Sequence, residues 1–166
     1  SLELAEQRTV AGRSCHVLGA GGAARAIVRA LAEAGASEVV VVNRTPGKAA
    51  AAAALAGPVG RVGSAVHVES ADIVVNATSV GMAGTPGAHG VPLDVEMLRS
   101  GQTVVDLVYH PLRTPLLEAA EAAGAHAVGG LGMLVHQAAR QFELWTGVDA
   151  PLEAMLAEAG QRMHQS

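Results

Sequence analysis

The stretch Gly19-Ala20-Gly21-Gly22-Ala23-Ala24 decides the fold, because it stands between a predicted strand and a predicted helix. The strand is the short apolar run at residues 14–18, which ends directly before the first glycine. The helix covers residues 21–34, carries its apolar side chains at helical spacing and is followed by Gly35. A glycine pattern in this strand–turn–helix context is a more specific signal than the same pattern alone.

Each glycine of this turn has its own use. Gly19 permits the tight turn, Gly21 lets the backbone approach a pyrophosphate, and Gly22 with Ala23 lets the helix start close to the strand. The free N–H groups of the first helical turn and the helix dipole then favour an anion. The turn therefore predicts a dinucleotide-binding site, and the alternative is a tight strand-to-helix turn that holds no ligand.

The rest of the chain continues the alternation of strands and helices. Further strands are predicted at residues 38–42, 59–66, 71–77, 103–108 and 126–128, and further helices at residues 2–9, 46–57, 93–98, 115–124, 131–145 and 151–159. Thr45 and Thr114 are predicted to cap the helices that begin at Pro46 and Pro115. We therefore expect one α/β domain of the Rossmann type, a doubly wound, mostly parallel sheet of six strands with helices on both faces.

The composition excludes several classes of protein. Half of the 166 residues are hydrophobic and the formal net charge is −4, so the chain has the apolar surface that a core needs. An acidic balance with 2% aromatic residues argues against a nucleic-acid surface. The sequence shows no membrane span, no signal peptide and no metal-ligand spacing among its seven histidines. The single cysteine, Cys15, fits a reducing compartment, and we expect a cytoplasmic protein.

The residues after the second predicted strand indicate which dinucleotide is bound. An Asp or Glu at this position accepts a hydrogen bond from the ribose 2′-hydroxyl of NAD. Here the sequence is Asn43-Arg44-Thr45, with Lys48 one helical turn later. Two cations, a hydroxyl and an amide around a helix N-terminus suit an additional phosphate, which favours NADP. The alternative is a solvated helix cap with exposed charges.

Polar residues also follow the later predicted strands, at the edge where open parallel sheets bind ligands. They are Thr78 and Ser79 after the fourth strand, Asp106-Leu107-Val108-Tyr109 at the end of the fifth, and Gly130, Met133 and Gln137 after the sixth. Each group alone is equally consistent with a polar turn. Because all three lie at one edge, we expect them to contribute to the site, with Met82 and Met133 either in the wall of a nicotinamide pocket or filling the core.

Five segments together resemble the NADP-binding domain of shikimate dehydrogenase. They are Gly19-Ala20-Gly21-Gly22-Ala23, Asn43-Arg44-Thr45, Asn76-Ala77-Thr78-Ser79-Val80-Gly81-Met82, Asp106-Leu107-Val108-Tyr109 with Pro111 and Thr114-Pro115-Leu116, and Gly130-Leu131-Gly132-Met133-Leu134 with Gln137-Ala138. The segments span most of the chain in the order of the family. Their combination is specific, although the glycine turn alone is not.

The resemblance implies a reaction and a set of contacts. The reaction is the reduction of 3-dehydroshikimate to shikimate by hydride transfer from NADPH, within aromatic amino-acid biosynthesis. The implied cofactor contacts are Gly19, Ala20, Gly21, Gly22 and Ala23 at the pyrophosphate, Asn43, Arg44, Thr45 and Lys48 at the adenosine ribose and its 2′-phosphate, and Leu107 and Gly130 at the nicotinamide. Tyr109 and Gln137 would reach shikimate from the cofactor side.

The length of the chain fits one part of this family's two-domain enzyme. Nothing in the sequence matches the family's N-terminal Ser-x-Ser motif or its catalytic Lys–Asp pair, and Lys48 is the only lysine. We therefore expect no catalytic residue in this chain, which would bind NADP(H) but would not turn over shikimate alone. The terminal helices, residues 1–10 and 146–164, would face the missing domain, and exposed apolar surface there favours self-association.

Three other functions remain open for this sequence. They are a stand-alone nucleotide-binding module such as a redox sensor, a related dehydrogenase acting on quinate, and a sheet domain whose nucleotide site is empty. Tyr109 and Gln137 argue against a pure sensor, which needs no substrate contacts. Asp72 is expected to be a turn residue and not the partner of Asp106 in a catalytic pair, and Cys15 is expected to be inert.

Overall fold

A single parallel sheet organises the chain in the computed structural model, which describes residues 9–164. Its strands are β1 (Ser14–Leu18), β2 (Glu38–Val42), β3 (Gly60–Val62), β4 (Ile73–Asn76), β5 (Thr103–Asp106) and β6 (His126–Val128). The strand order is β3-β2-β1-β4-β5-β6, and every pairing is parallel. The prediction of a doubly wound sheet of six strands is therefore confirmed, and the sheet is parallel throughout.

Helices connect most of these strands. They are α1 (Gly22–Glu33), α2 (Pro46–Ala53), α3 (Pro115–Ala122), α4 (Leu131–Thr146) and α5 (Leu152–His164), with short 3₁₀ segments at Ala54–Val59, Ala65–Ser70 and Val95–Met97. Within residues 9–164, none of the helices combines the length and the apolar character needed to cross a membrane. The helix predicted at residues 2–9 lies outside the described residues except for Thr9.

The core has two parts, one on each face of the sheet. On one face, the small side chains of α1 and α2, such as Ala24, Ala49 and Ala52, pack against alternate strand residues that include Val39 and Val41. The opposite face buries Leu116 and Ala120 of α3 with Leu18, Val74 and Val104. Adjacent residues of one strand thus enter different halves of the core, which is why the strands read as continuous apolar runs.

Several predicted boundaries are wrong in detail. The third strand, predicted at residues 59–66, is only Gly60–Val62, and the helix predicted at residues 93–98 is the 3₁₀ segment Val95–Met97. Thr114 caps α3 as predicted, because its hydroxyl accepts a hydrogen bond from the Leu117 N–H. Thr45 occupies the cap position of α2, but its side chain makes no cap hydrogen bond.

Candidate functional site

An open cavity of about 1020 Å³ lies over the carboxyl ends of β1, β2 and β4. Strand β1 pairs with β2 on one side and with β4 on the other, so the strand order reverses at this point of the sheet. Open parallel sheets bind their ligands in the crevice that such a reversal creates. The volume is at the upper end of the range for ligand pockets, which suits an elongated ligand.

The cavity brings together seven of the predicted site residues. They are Gly19, Ala20, Gly21, Asn43, Arg44, Thr78 and Ser79. The other predicted residues do not line it: Gly22, Ala23, Thr45 and Lys48 belong to the helix starts beside it, and Leu107, Tyr109, Gly130, Met133 and Gln137 belong to the neighbouring ends of β5 and β6 and to α4. The cavity therefore includes part of the predicted pyrophosphate set and part of the predicted adenosine set, and none of the residues predicted for the nicotinamide and the substrate.

Part of the cavity wall was not predicted from the sequence. Gly63 and Ser64, directly after β3, line it beside Arg44, and the loop segment Thr85-Pro86-Gly87 closes the opposite side. Because the third strand was expected to continue to residue 66, Ser64 was placed inside a strand and not at its end. The rule that ligands bind at carboxyl ends of strands could have found it with the correct strand boundary.

The glycine turn fits closely between two strand ends. The Gly19 N–H donates to the carbonyl of Val42 at 2.8 Å, which joins the turn to the end of β2. Gly19 has φ +111°, and a Cβ atom there would lie 2.7 Å from the carbonyl oxygen of Ala77. Gly21 is exposed and a Cβ atom on it would meet nothing within 4 Å. Gly19 thus serves the fold, while the space beside Gly21 stays open to a ligand.

Two helices begin beside this cavity without a side-chain cap. Gly21 precedes α1 and Thr45 precedes α2, and neither helix has a capping side-chain hydrogen bond or an acidic residue in its first turn. No side chain therefore compensates the first N–H groups or the positive end of the dipole in either helix. Both helix starts thus favour an anion. Helix α3 differs, since Thr114 caps it and Glu118 lies in its first turn.

Arg44 is the cation that lines the cavity. Its side chain is exposed, and no carboxylate is among the lining residues. Asn43 shapes the same turn, because its Nδ2 donates to the Thr45 carbonyl at 3.2 Å. Lys48 and Thr45 are exposed residues at the start of α2, outside the lining. The end of β2 therefore offers one positive side chain and one helix N-terminus to an anion.

A buried hydrogen-bond network links the carboxyl ends of β4 and β5. Asn76 donates from Nδ2 to Oδ1 of Asp106 at 2.9 Å and to the carbonyl of Val80 at 3.2 Å. Oδ1 of Asp106 also accepts the Val108 N–H at 3.0 Å, and Oδ2 accepts the Thr114 hydroxyl at 2.7 Å. Burial raises the pKa of Asp106, and these three donors oppose the rise in its pKa.

The same network occupies the hydroxyl of Thr78. The Thr78 hydroxyl donates to Oδ1 of Asn76 at 2.7 Å and accepts a hydrogen bond from the Val80 N–H at 3.1 Å. The hydroxyl proton of Thr78 is therefore used inside the loop. The Cγ2 methyl of Thr78 lies beside Gly19, since a Cβ atom on that glycine would be 3.3 Å from it. Thr78 thus faces the glycine turn with its methyl group.

The start of α4 packs tightly on the end of β5. A Cβ atom on Gly130 would lie 2.4 Å from the carbonyl oxygen of Leu107, so these two predicted nicotinamide contacts lie together. Tyr109 is 38% exposed and follows the same strand. Gln137 is exposed and Met133 half-buried on α4. None of these residues is among those that line the cavity.

Asp72 and Cys15 lie away from the cavity. Asp72 accepts hydrogen bonds from the N–H and hydroxyl of Ser14 at the amino ends of β1 and β4, and the Ser14 N–H is the main reason its pKa is lowered. Asp106 lies at the opposite edge of the sheet, so the two carboxylates do not form a pair. Cys15 is fully buried, and burial, followed by the charge of Asp72, raises its pKa to about 12.

The fold and the cavity define a class of protein. A parallel sheet in this order, a glycine turn after β1 and a crevice at the reversal of strand order are together the features of a dinucleotide-binding Rossmann domain. Residues 3–83 match the family model described as Shikimate / quinate 5-dehydrogenase. Residues 130–159 match the model described as Shikimate 5'-dehydrogenase C-terminal domain.

Known proteins agree with these two models. A shikimate dehydrogenase (NADP(+)) of Moorella thermoacetica is 45% identical over 155 residues, which cover 87% of this chain and 52% of that protein. A crystal structure of shikimate dehydrogenase in complex with NADP+ has a TM-score of 0.87 at 34% identity, over 98% of this chain and 58% of that one. The Thermus thermophilus enzyme with NADP(H) and shikimate has a TM-score of 0.84 at 40% identity, over 97% of this chain and 59% of that one.

The chain belongs to the shikimate dehydrogenase family, as its motifs implied. It spans about half the length of the curated relatives it matches.

Proposed function

We propose that this chain is the NADP(H)-binding part of a dehydrogenase that reduces 3-dehydroshikimate to shikimate. The observation that carries the proposal is the cavity at the reversal of strand order, where the glycine turn and Arg44 meet. Two helix starts without side-chain caps lie beside it. These features suit a ligand with phosphates at two places, as in a dinucleotide that carries an additional ribose phosphate.

The residues that line the cavity suit the pyrophosphate and adenosine parts of such a dinucleotide. The turn at Gly21 leaves open space over the start of α1 for the pyrophosphate, and Arg44 with the start of α2 would hold the 2′-phosphate. Ser64 would border the adenosine ribose from the end of β3. The reduced nicotinamide, when bound, supplies a hydride to a carbonyl carbon. Tyr109 and Gln137 would contact the substrate beside it.

The lining favours NADP over NAD. An Asp or Glu at the end of β2 would hold the ribose 2′-hydroxyl of NAD and repel a 2′-phosphate. Arg44 occupies this place, and no carboxylate is among the residues that line the cavity. The planar guanidinium of an Arg forms bidentate hydrogen bonds with a phosphate.

The chain's own side chains supply binding and orientation and not the proton. A ketone that accepts a hydride also needs an acid near its oxygen. Asp106, the carboxylate at the end of β5, is fully buried and engaged by three donors. We place the acid in the remaining length of the relatives, so this chain would bind NADPH without turning over shikimate.

Titration of the 166-residue chain with NADPH, followed by the fluorescence of the reduced nicotinamide, tests the proposal. We expect saturable binding of NADPH that NADH does not match at the same concentration. Adenosine 2′,5′-bisphosphate should compete, because it carries the 2′-phosphate. Absence of NADPH binding at millimolar concentration would refute the proposed site, and equal affinity for NADH would refute the role of Arg44. Shikimate oxidation by the chain alone would refute the assignment of the acid.

Quinate is the second candidate for the substrate. The description of the family model that matches residues 3–83 names both shikimate and quinate. The cavity lies at the dinucleotide end of the site and bears on the cofactor alone. A longer protein that contains this chain, assayed with both acids at equal concentration, distinguishes the two.

We also propose that the exposed apolar side chains where α4 ends pack against a second domain. Leu144, Trp145 and Val148 are 69%, 81% and 61% exposed, which is unusual for neighbouring large apolar residues. The match covers 52% of the Moorella thermoacetica relative, and we assign the cover of these three side chains to the remaining part of such a protein. In the 166-residue chain this face should instead cause self-association that Trp145→Gln reduces, and a monomer at high concentration in sedimentation would contradict this expectation.

A further inference from the structure

Asp106 connects the loop that lines the cavity with the segment that leads from β5 toward the proposed nicotinamide end of the site. Through Asn76 it reaches the loop from Thr78 to Val80, which lines the cavity. Through the Val108 N–H it holds the segment that leads from β5 to Tyr109. All of these links start from one carboxylate that is fully buried.

The network is closed, so each bond depends on the others. Both protons of the Asn76 amide are used, and its oxygen accepts from the N–H and the hydroxyl of Thr78. The Thr114 hydroxyl donates to Asp106 and accepts from the first turn of α3. A satisfied buried network of this kind fixes one arrangement of the groups that it joins.

The acceptor character of the carboxylate sets the direction of every bond. An ionised Asp can accept but cannot donate. The amide of Asn76 must therefore turn its NH₂ group toward Asp106 and its oxygen toward Thr78. The Thr78 hydroxyl then donates its proton to the Asn76 oxygen. The methyl group of Thr78 consequently faces Gly19. An amide in place of Asp106 would lose one of the two acceptor oxygens, while the Thr78 N–H and the Val80 carbonyl would still favour the same orientation of Asn76.

We propose that Asp106 is a positioning residue that orients the loop Thr78–Val80 and the segment Leu107–Tyr109 for the nicotinamide half of the dinucleotide. The inference rests on the proposed NADP(H) site. Strand β5 is separated from β2 by β4 and β1, which places Asp106 about 14 Å from the adenosine end at the usual spacing of strands. We therefore expect a change at Asp106 to weaken the contacts of the nicotinamide half of the ligand more than those of the adenosine half.

Binding of a whole and a half ligand tests this inference. Asp106→Asn keeps the shape of the side chain but has only one acceptor oxygen, so its NH₂ group must face either the Thr114 hydroxyl or the two donors that Oδ1 accepts. We expect its dissociation constant for NADPH to rise by about tenfold, while that for adenosine 2′,5′-bisphosphate stays within about twofold of the native value. Asp72→Asn is the control, because Asp72 also joins two strands through hydrogen bonds but at the opposite edge of the sheet. It should leave both constants unchanged.

A pair of substitutions at Thr114 provides a second test if Asp106→Asn does not fold. Thr114→Val removes the hydroxyl that donates a hydrogen bond to Oδ2 of Asp106, and Thr114→Ser keeps this hydroxyl. The valine variant should show the same selective loss of NADPH, and the serine variant should bind both ligands as the native chain does. Equal weakening of both ligands, or native NADPH binding in the asparagine or valine variant, would overturn the inference. A native chain that binds neither ligand would instead refute the proposed function.

Discussion

The carbonyl oxygen of Leu107 lies so close to Gly130 that a Cβ atom on this glycine would be 2.4 Å from it. Real Cβ atoms do not approach a backbone oxygen to this distance. Helix α4 therefore begins directly against the carboxyl end of β5, and the position before the helix has no room for a side chain. This contact fixes where α4 carries Met133 and Gln137 relative to the end of the sheet.

Alanine at position 130 should destabilise the protein. Its Cβ overlaps backbone atoms that cannot rotate away, so the start of α4 must move, and we expect a loss of about 1–3 kcal/mol in the free energy of unfolding. Gly132→Ala is the matched control, because a Cβ atom there meets nothing within 4 Å and the residue lies in the same helix. It should be neutral or stabilise by up to about 1 kcal/mol. Denaturant unfolding of both variants measures the difference, and equal stabilities would contradict the close contact.

The two glycines of the turn should separate folding from binding. Gly19→Ala places a Cβ at φ +111° against the Ala77 carbonyl, and we expect it to cost about 1–3 kcal/mol of stability. Gly21→Ala has free space for its Cβ, so its stability should stay within about 1 kcal/mol of the native value. The added methyl nevertheless occupies the space proposed for the pyrophosphate, and NADPH binding should weaken by at least about tenfold.

Unfolding and NADPH titration of both variants decide this prediction. A stable Gly21→Ala chain that binds NADPH as tightly as the native chain would show that the turn is a packing feature without a ligand. An equally stable Gly19→Ala chain would show that the turn can move away from Ala77.

Arg44 and Lys48 should contribute unequally to the choice of nucleotide. Arg44 lines the cavity and Lys48 does not, although both cations were assigned to the 2′-phosphate. Arg44→Gln should weaken NADPH binding by about 10- to 100-fold, the value of charge-assisted bonds to a phosphate, with no change for NADH. Lys48→Gln is the comparison and should weaken NADPH by less than about fivefold, since it acts through solvent. A larger effect at Lys48 than at Arg44 would reverse the assignment.

The parts of the fold that could be predicted from the sequence are those that local sequence determines. The valines of β2 are buried on both faces, and the glycine turn follows a strand directly, so both were placed correctly. The third strand was predicted too long, because only Gly60–Val62 pairs with β2 and its residues are largely exposed. No periodic pattern marks such a strand. Because its predicted end was wrong, Ser64 was not predicted to lie at the cavity.

The remaining site features depend on contacts between distant residues. Asn76 and Asp106 are 30 positions apart, and their hydrogen bond exists because β4 and β5 are paired in register. The loop after β4 forms part of the cavity wall because the Thr85 hydroxyl donates to the Met82 carbonyl and the Ala83 N–H to the His110 carbonyl. Glycine and proline predicted a loop here, but its shape also depends on the bond between Ala83 and His110, which are distant in sequence.

Cys15 should resist thiol reagents for as long as the chain is folded. It lies in the centre of the sheet with none of its surface exposed, and burial, with the charge of Asp72 second, raises its pKa to about 12. Thiol reagents react with the thiolate, and an unperturbed cysteine has a pKa of about 8.5. At about pH 8 the folded chain should therefore react at least about a thousandfold more slowly than the chain in denaturant, through rare unfolding.

The raised pKa of Cys15 also predicts how stability depends on alkaline pH. Above about pH 8.5 the unfolded chain releases the thiol proton while the folded chain keeps it, so stability falls as pH rises toward the folded pKa of about 12. Cys15→Ala removes this contribution. The denaturant midpoint of the native chain should fall more steeply between about pH 9 and 10.5 than that of the variant, because the two chains differ only in the Cys15 thiol. Parallel slopes, or rapid labelling of the folded chain, would show that Cys15 reaches solvent without unfolding.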